Sequence, residues 1–243
     1  MWKEIKVGNI FHPMLSRLAV ALTVVLLPLT ASASDGAAIL QKDCVSCHNL
    51  KGPAPQTLQA LWDRKGPDLF YAGNKYRQEW LVSWLQNPQR IRPAGEFYGN
   101  HIKPGPKHDE IDTATLEKHV VLSKDDAVAV AAELMKLKPH DDLIAKEKIE
   151  PGTISKQMGE MAFDKFMGCM ACHLIEPDYG GLSGPELYTA GKRLQPEYIA
   201  SYIRSPQAWD PKIWMPNKQV SDANIQKMVR YLELLAKENF NDK

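Results

Sequence analysis

Apolar and polar positions alternate along this chain with a helical period. Trp80, Leu81, Trp84 and Leu85 fall at i, i+1, i+4 and i+5, one face of an α-helix, and Tyr198, Ile199, Tyr202 and Ile203 repeat that spacing. Asn87-Pro88 and Ser205-Pro206 stop these two helices, because the residue before a proline is pushed out of the helical region. Asp35 to Cys44 and Ser155 to Gly168 read as two further helices, with Ser155 as an N-cap. Ser123–Lys138 and Ser221–Lys237 read as the helices that close each half. Each starts on a serine cap followed by acidic residues, Asp125 and Asp126 or Asp222, where a helix N-terminus favours negative charge. No segment alternates with a period of two, so the pattern predicts an all-α fold.

The first residues differ from the rest. Lys3, Lys6 and Arg17 precede a 12-residue apolar run, Leu18 to Leu29, and Ala31-Ser32-Ala33 follows it. A basic start, a short apolar core and a small-x-small site predict a secretory signal peptide over 1–33, cut after Ala33. The run is shorter than the roughly 20 residues that span a bilayer. No later segment is apolar enough to do so, so the mature chain is expected to be exported, periplasmic and without an integral membrane segment. Cleavage removes three of 30 basic and one of 29 acidic groups, leaving 27 against 28 and a formal net charge of −1. That balance gives no electrostatic basis for nucleic-acid binding.

The remaining 210 residues contain an internal repeat. Gly66–Gln89 aligns without a gap on Gly184–Gln207, and nine of the 24 positions are identical, beginning with Gly66-Pro67-x-Leu69 on Gly184-Pro185-x-Leu187. Two domains follow, 34–140 and 154–243, joined by a polar linker over 141–153 that holds Asp141, Asp142, Glu147 and Lys148.

All four cysteines lie in two copies of one motif, Cys44-Val45-Ser46-Cys47-His48 and Cys169-Met170-Ala171-Cys172-His173. Cys-x-x-Cys-His is the attachment signature of covalently bound c-type haem. Two thiols three positions apart on one helical turn reach the two vinyl groups of a porphyrin, and the adjacent histidine is set on the iron. Zinc arms usually lie some 12–20 residues apart, whereas these pairs are 125 positions apart. A dithiol redox pair needs a βαβ context, and neither it, nor zinc, nor a disulfide accounts for the trailing histidines. Two haem c groups are the expected cofactors.

In this order of parts each half resembles a class I cytochrome c domain, and the chain is similar to tandem dihaem cytochromes c. The resemblance covers nearly all of the mature residues. It implies that the carbonyls of Pro67 and Pro185 receive the ring N–H of His48 and His173, fixing their orientation and raising their basicity. It also implies a distal methionine between the middle and last helices. Met215, in Trp214-Met215-Pro216, occupies that place in the second half.

The first half departs from the pattern, having no methionine between His48 and Leu134. Its loop holds His101, His108 and His119, and His119 lies four residues before Ser123, much as Met215 lies six before Ser221. His48 and His119 are therefore expected as a bis-histidine pair, with His101 next and Lys103, Lys107 or Lys118 as further alternatives. The loop itself is long, 35 positions from Pro88 to Ser123 against 15 from Pro206 to Ser221. It covers the first haem, docks a partner or is a plain insertion; the sequence does not choose.

The resemblance implies a periplasmic electron carrier whose N-terminal haem, of lower potential, passes electrons to the C-terminal His/Met haem. Its redox partners would be another cytochrome, a dehydrogenase or a terminal oxidase. Two alternatives stay open. One is a dihaem enzyme, a peroxidase or sulfur-compound dehydrogenase, with a displaceable ligand at the first haem. The other is a c-type subunit of a respiratory complex.

Overall fold

A computed structural model describes Glu4, Gly8, residues 34–106 and residues 108–240. The expected signal peptide, its cleavage site and Lys107 lie outside the described residues. Among the described residues, no helix is long and apolar enough to cross a membrane.

The first half opens with α1 (Gly36–Ile39), capped by Asp35, whose carboxylate accepts from the Ala38 amide at 3.0 Å. The helix continues through Leu40–Cys44 with a wider winding, in which Val45 N–H reaches the Leu40 carbonyl at 3.1 Å. The second half repeats this: α7 (Lys156–Met161), capped by Ser155, widens over Ala162–Phe166 ahead of the second motif. Such π-type turns are rare and concentrate at functional sites.

After the first motif come α2 (Leu58–Trp62), α3 (Ala72–Lys75), α4 (Gln78–Gln86) and, beyond the long loop, α5 (Lys124–Leu134). The linker segment contains α6 (Asp141–Ile144). The second half then runs α7, α8 (Ala190–Arg193), α9 (Pro196–Arg204), α10 (Pro206–Trp209) and α11 (Asp222–Leu235). Ser123 accepts from the Asp126 amide as predicted. Ser221 stands at the cap position of α11 without a side-chain bond to the helix.

Helices dominate, but two antiparallel hairpins were not legible from periodicity. β1 (Ile102–Lys103) pairs with β2 (Glu110–Ile111), and β3 (Leu174–Glu176) with β4 (Tyr179–Gly180). Strands of two or three residues are too short to carry a period of two.

Repeat-related helices occupy related places. α1 and α4 pack on α5, and α7, α8 and α9 pack on α11. The halves join where the repeat meets itself. Tyr76 bridges Leu194, its own counterpart in the ungapped alignment. Arg77 N–H donates to Arg193 O at 3.0 Å, and Gln195 N–H donates to Lys75 O at 3.0 Å. Arg77 Nε donates to Leu194 O, and its counterpart Gln195 Nε2 donates to Tyr76 O, both at 2.9 Å. Each contact has its mirror, which is what a two-fold interface between like units requires. The described residues from Ser34 on cluster as one unit, and a single buried core runs through both halves, Tyr71 meeting Tyr198 and Trp209. The linker is fastened to both halves: Asp141 accepts from Asn74 at 2.7 Å, and Arg204 Nε donates to Glu147 at 2.8 Å.

One buried guanidinium also crosses the joint. Arg64 Nη1 lies 3.1 Å from Asp68 and 3.0 Å from Asp210, and its Nε lies 3.5 Å from Glu96. All four side chains are at most 10% exposed. Removing one partner of a buried ion pair leaves charge uncompensated, which typically costs about 3–5 kcal/mol. Arg64→Leu, which takes the only cationic partner among the described residues from Asp68 and Asp210 while Glu96 keeps Arg92 at 3.2 Å, is expected to lose about that much stability in denaturant unfolding. An unchanged midpoint would contradict the role given to this joint.

Candidate functional site

The wide turn ahead of each motif delivers the first cysteine, and a tight turn presents the histidine. In the first half Cys47 N–H and His48 N–H both donate to the Cys44 carbonyl, at 3.1 and 3.0 Å. In the second, Cys172 N–H and His173 N–H both donate to the Cys169 carbonyl, at 3.2 Å. None of the four cysteines is paired in a disulfide. Burial pushes the Cys44 and Cys169 thiols up, so neither is the low-pKa thiolate of a dithiol redox pair.

Each histidine is then fixed by one carbonyl. His48 Nδ1 is 2.8 Å from Pro67 O, and His173 Nδ1 is 2.8 Å from Pro185 O. A carbonyl only accepts, so Nδ1 carries the proton and Nε2 keeps its lone pair for a metal. Burial lowers both histidines, His173 to about 4, so the imidazoles are neutral at pH 7. The glycine before each proline gives the ring its room. A Cβ at Gly66 would stand 2.6 Å from His48 Cε1, and one at Gly184 would stand 2.6 Å from His173 Cε1.

His119 stands beside the histidine of the first motif. Its ring centroid is 6.1 Å from that of His48, with the planes at 56°. Its Nδ1 donates to the Val120 carbonyl at 2.7 Å, so its Nε2 is also free. A metal about 2 Å from a nitrogen of each ring sets two imidazole centroids about 6 Å apart, so these two rings have a spacing at which both could hold one metal. An open cavity of about 420 Å³ lies against Cys47 and His48, bounded by Pro53, Arg64 and Asp68.

The alternatives lie elsewhere. His101 Nδ1 is 2.8 Å from the Thr115 hydroxyl, and its ring rests over Gly95. His108, Lys103 and Lys118 are exposed. Among the described residues, no three His, Cys, Asp or Glu side chains converge as a site for a bare metal ion.

In the second half Met215 is half-buried in the segment between α10 and α11, its carbonyl accepting from Gln207 at 2.8 Å. Its neighbour Trp214 is 58% exposed, yet it packs edge-on against Trp62 and Phe97 of the first half, at 6.1 and 5.2 Å. The loop carrying Met215 is thus braced from the other half.

The long loop of the first half reaches the second site. The Ile91 carbonyl accepts from Glu186 N–H at 2.7 Å. That N–H belongs to the same peptide group whose carbonyl, on Pro185, receives His173 Nδ1. Bonds arranged in series polarise one another, so Ile91 strengthens the acceptor that holds His173. Arg92 and Glu96, 3.2 Å apart, tie this stretch to the Arg64 cluster. Asp68 N–H, at the equivalent peptide of the first half, has no such partner among the described residues. Sequence reasoning did not find this crossing, because nothing local to Ile91 signals it.

Comparison with family profiles, curated proteins and solved structures finds no match to this chain. The site is read from its own geometry. Overpacking a filled site typically costs about 1–3 kcal/mol. Gly184→Ala is expected to displace the His173 ring, lowering stability by about that amount and shifting the Nδ1–H resonance of His173. Stability and resonance both unchanged would contradict the close approach.

Proposed function

We propose that this chain is a two-centre c-type cytochrome that carries electrons in the periplasm. The reading rests on one observation above the others: at both Cys-x-x-Cys-His motifs a neutral histidine is oriented by a proline carbonyl at 2.8 Å and has its second nitrogen free. Haem bound at these positions supplies one-electron exchange. The residues of the chain do the rest. Cys44 and Cys47, and Cys169 and Cys172, tether the two groups through thioethers. His48 and His173 are the proximal ligands, made more basic by the Pro67 and Pro185 carbonyls. His119 and Met215 would supply the second donor to the first and second haem.

The two donor sets differ, and so do the potentials. A thioether is a weaker donor to ferric iron than an imidazole, so the His173/Met215 centre has the higher potential and the His48/His119 centre the lower. Electrons therefore run from the N-terminal to the C-terminal centre. Docking with a donor or acceptor cytochrome, dehydrogenase or oxidase is transient, through a small interface.

Two measurements on the exported holoprotein test this reading. Spectroelectrochemical titration is expected to give two waves. Near-infrared magnetic circular dichroism is expected to assign the lower wave to a bis-histidine centre and the upper to a His/Met centre. Equal or reversed midpoints, or two His/Met signatures, would overturn the ligand assignment and the direction. The enzyme reading differs in needing a displaceable ligand. Rapid carbon monoxide binding by one reduced centre would favour it, and an unchanged spectrum favours the carrier.

A further inference from the structure

We propose that Trp84 is the positioning residue that keeps His119 aimed at His48; the inference rests on the reading of these two histidines as axial ligands of one haem. His119 is carried by an irregular stretch between the Thr113–Thr115 turn and α5, not by a helix. A loop histidine with free side-chain torsions spends its time in many rotamers, and holding one of them needs a wall. Trp84 is that wall. Its ring centroid is 4.6 Å from that of His119, and the planes meet at 62°, an edge-to-face contact.

The indole is itself fixed. Trp84 Nε1 donates to the Gln89 carbonyl at 2.9 Å, locking the ring on the last turn of α4. Behind it stand Trp80, stacked at 5.5 Å, and Tyr76, stacked on Trp80 at 5.4 Å. Tyr76 is the residue that bridges to Leu194 at the joint between the halves, so the stack is anchored at its far end.

The main chain on either side of His119 is pinned, once to the last turn of α4 and once to the stretch that follows it. Leu122 N–H donates to Leu85 O at 3.0 Å, and Arg90 Nη2 donates to Glu117 O at 2.9 Å. Backbone clamps place the Cα of His119, its Nδ1 bond to Val120 sets which nitrogen is free, and Trp84 limits the remaining torsions of the ring. In the repeat Trp84 aligns on Tyr202. The indole thus belongs to the half in which a histidine stands where the other half has Met215.

The test uses the exported holoprotein and four variants, Trp84→Leu, Trp84→Met, Trp84→Phe and His119→Ala. Near-infrared magnetic circular dichroism reads the ligand pair, and stopped-flow carbon monoxide binding to the reduced protein reads how easily the distal position opens. Loss of a group that orients a ligand typically weakens the metal bond by about 10–100-fold. Trp84→Leu is expected to diminish the bis-histidine band and to speed carbon monoxide binding at the lower-potential centre by roughly that factor. Trp84→Met, a longer and unbranched side chain of about the same volume as leucine, is read in the same way if the leucine variant is not exported. Trp84→Phe, which keeps an aromatic ring, is expected to retain the band and the slow binding.

Wild-type band and rate in both aliphatic variants would overturn the proposal, and so would a phenylalanine variant as impaired as leucine. His119→Ala separates the two levels. If it leaves the band intact, the ligand reading fails and takes this inference with it. If it abolishes the band while the aliphatic variants do not weaken it, only the role of Trp84 fails.

Discussion

The ring N–H of His48 rests on the Pro67 carbonyl and that of His173 on the Pro185 carbonyl, each at 2.8 Å. The glycines before the prolines and, in the second half, the Ile91 carbonyl bear directly on those two bonds. The chain between histidine and proline spans 19 positions in the first half and 12 in the second. It folds as α2 in one case and as the β3–β4 hairpin in the other. Two different detours thus end on the same bond. The glycines before the prolines are part of the constraint, since a side chain at Gly66 or Gly184 would enter the space of the ring. A donor nitrogen of fixed direction follows from this without any further group.

The halves are alike in plan and unlike in trim. At the Tyr76–Leu194 bridge they meet almost as equals, the main-chain bonds of Arg77 and Gln195 answering one another while Gln195 Nε2 makes one further bond, to Gly73 O. Away from the bridge the symmetry is broken in one direction. The first half sends Ile91 to the peptide that holds His173, and it supplies Trp62 and Phe97 to brace the loop of Met215. The second half returns Asp210 to Arg64. The longer loop of the first half therefore builds the surroundings of the second site. The two motifs thus sit in one unit with a shared buried core.

Much of this was legible in the sequence, and the reason lies in range. The motifs, the helix spacing at Trp80 and Tyr198 and the caps at Ser123 and Ser155 are local signals, and local signals survive without coordinates. The repeat alignment sets Pro67 on Pro185, and the resemblance to cytochrome c domains pairs them with His48 and His173. Counting back from the last helix picks out His119, whose ring lies 6.1 Å from that of His48, while the ring of His101 turns to Thr115. Contacts between distant residues could not be read this way. Trp84 stood out only as an apolar position, Ile91 and Arg64 gave no signal, and the hairpins were too short to show a period. The linker looked like a tether because it is polar, yet Asp141 and Glu147 use that polarity to bind Asn74 and Arg204.

The central claim is that each half is built round its own iron porphyrin, tethered by two thioethers. Intact-mass spectrometry of the exported protein under denaturing conditions tests it most directly, since only covalent groups survive. The account predicts a mass greater than that of the processed polypeptide by two haems, falling by one when Cys44 and Cys47 are both changed to serine. A polypeptide carrying no added mass, or one haem regardless of that change, would contradict it.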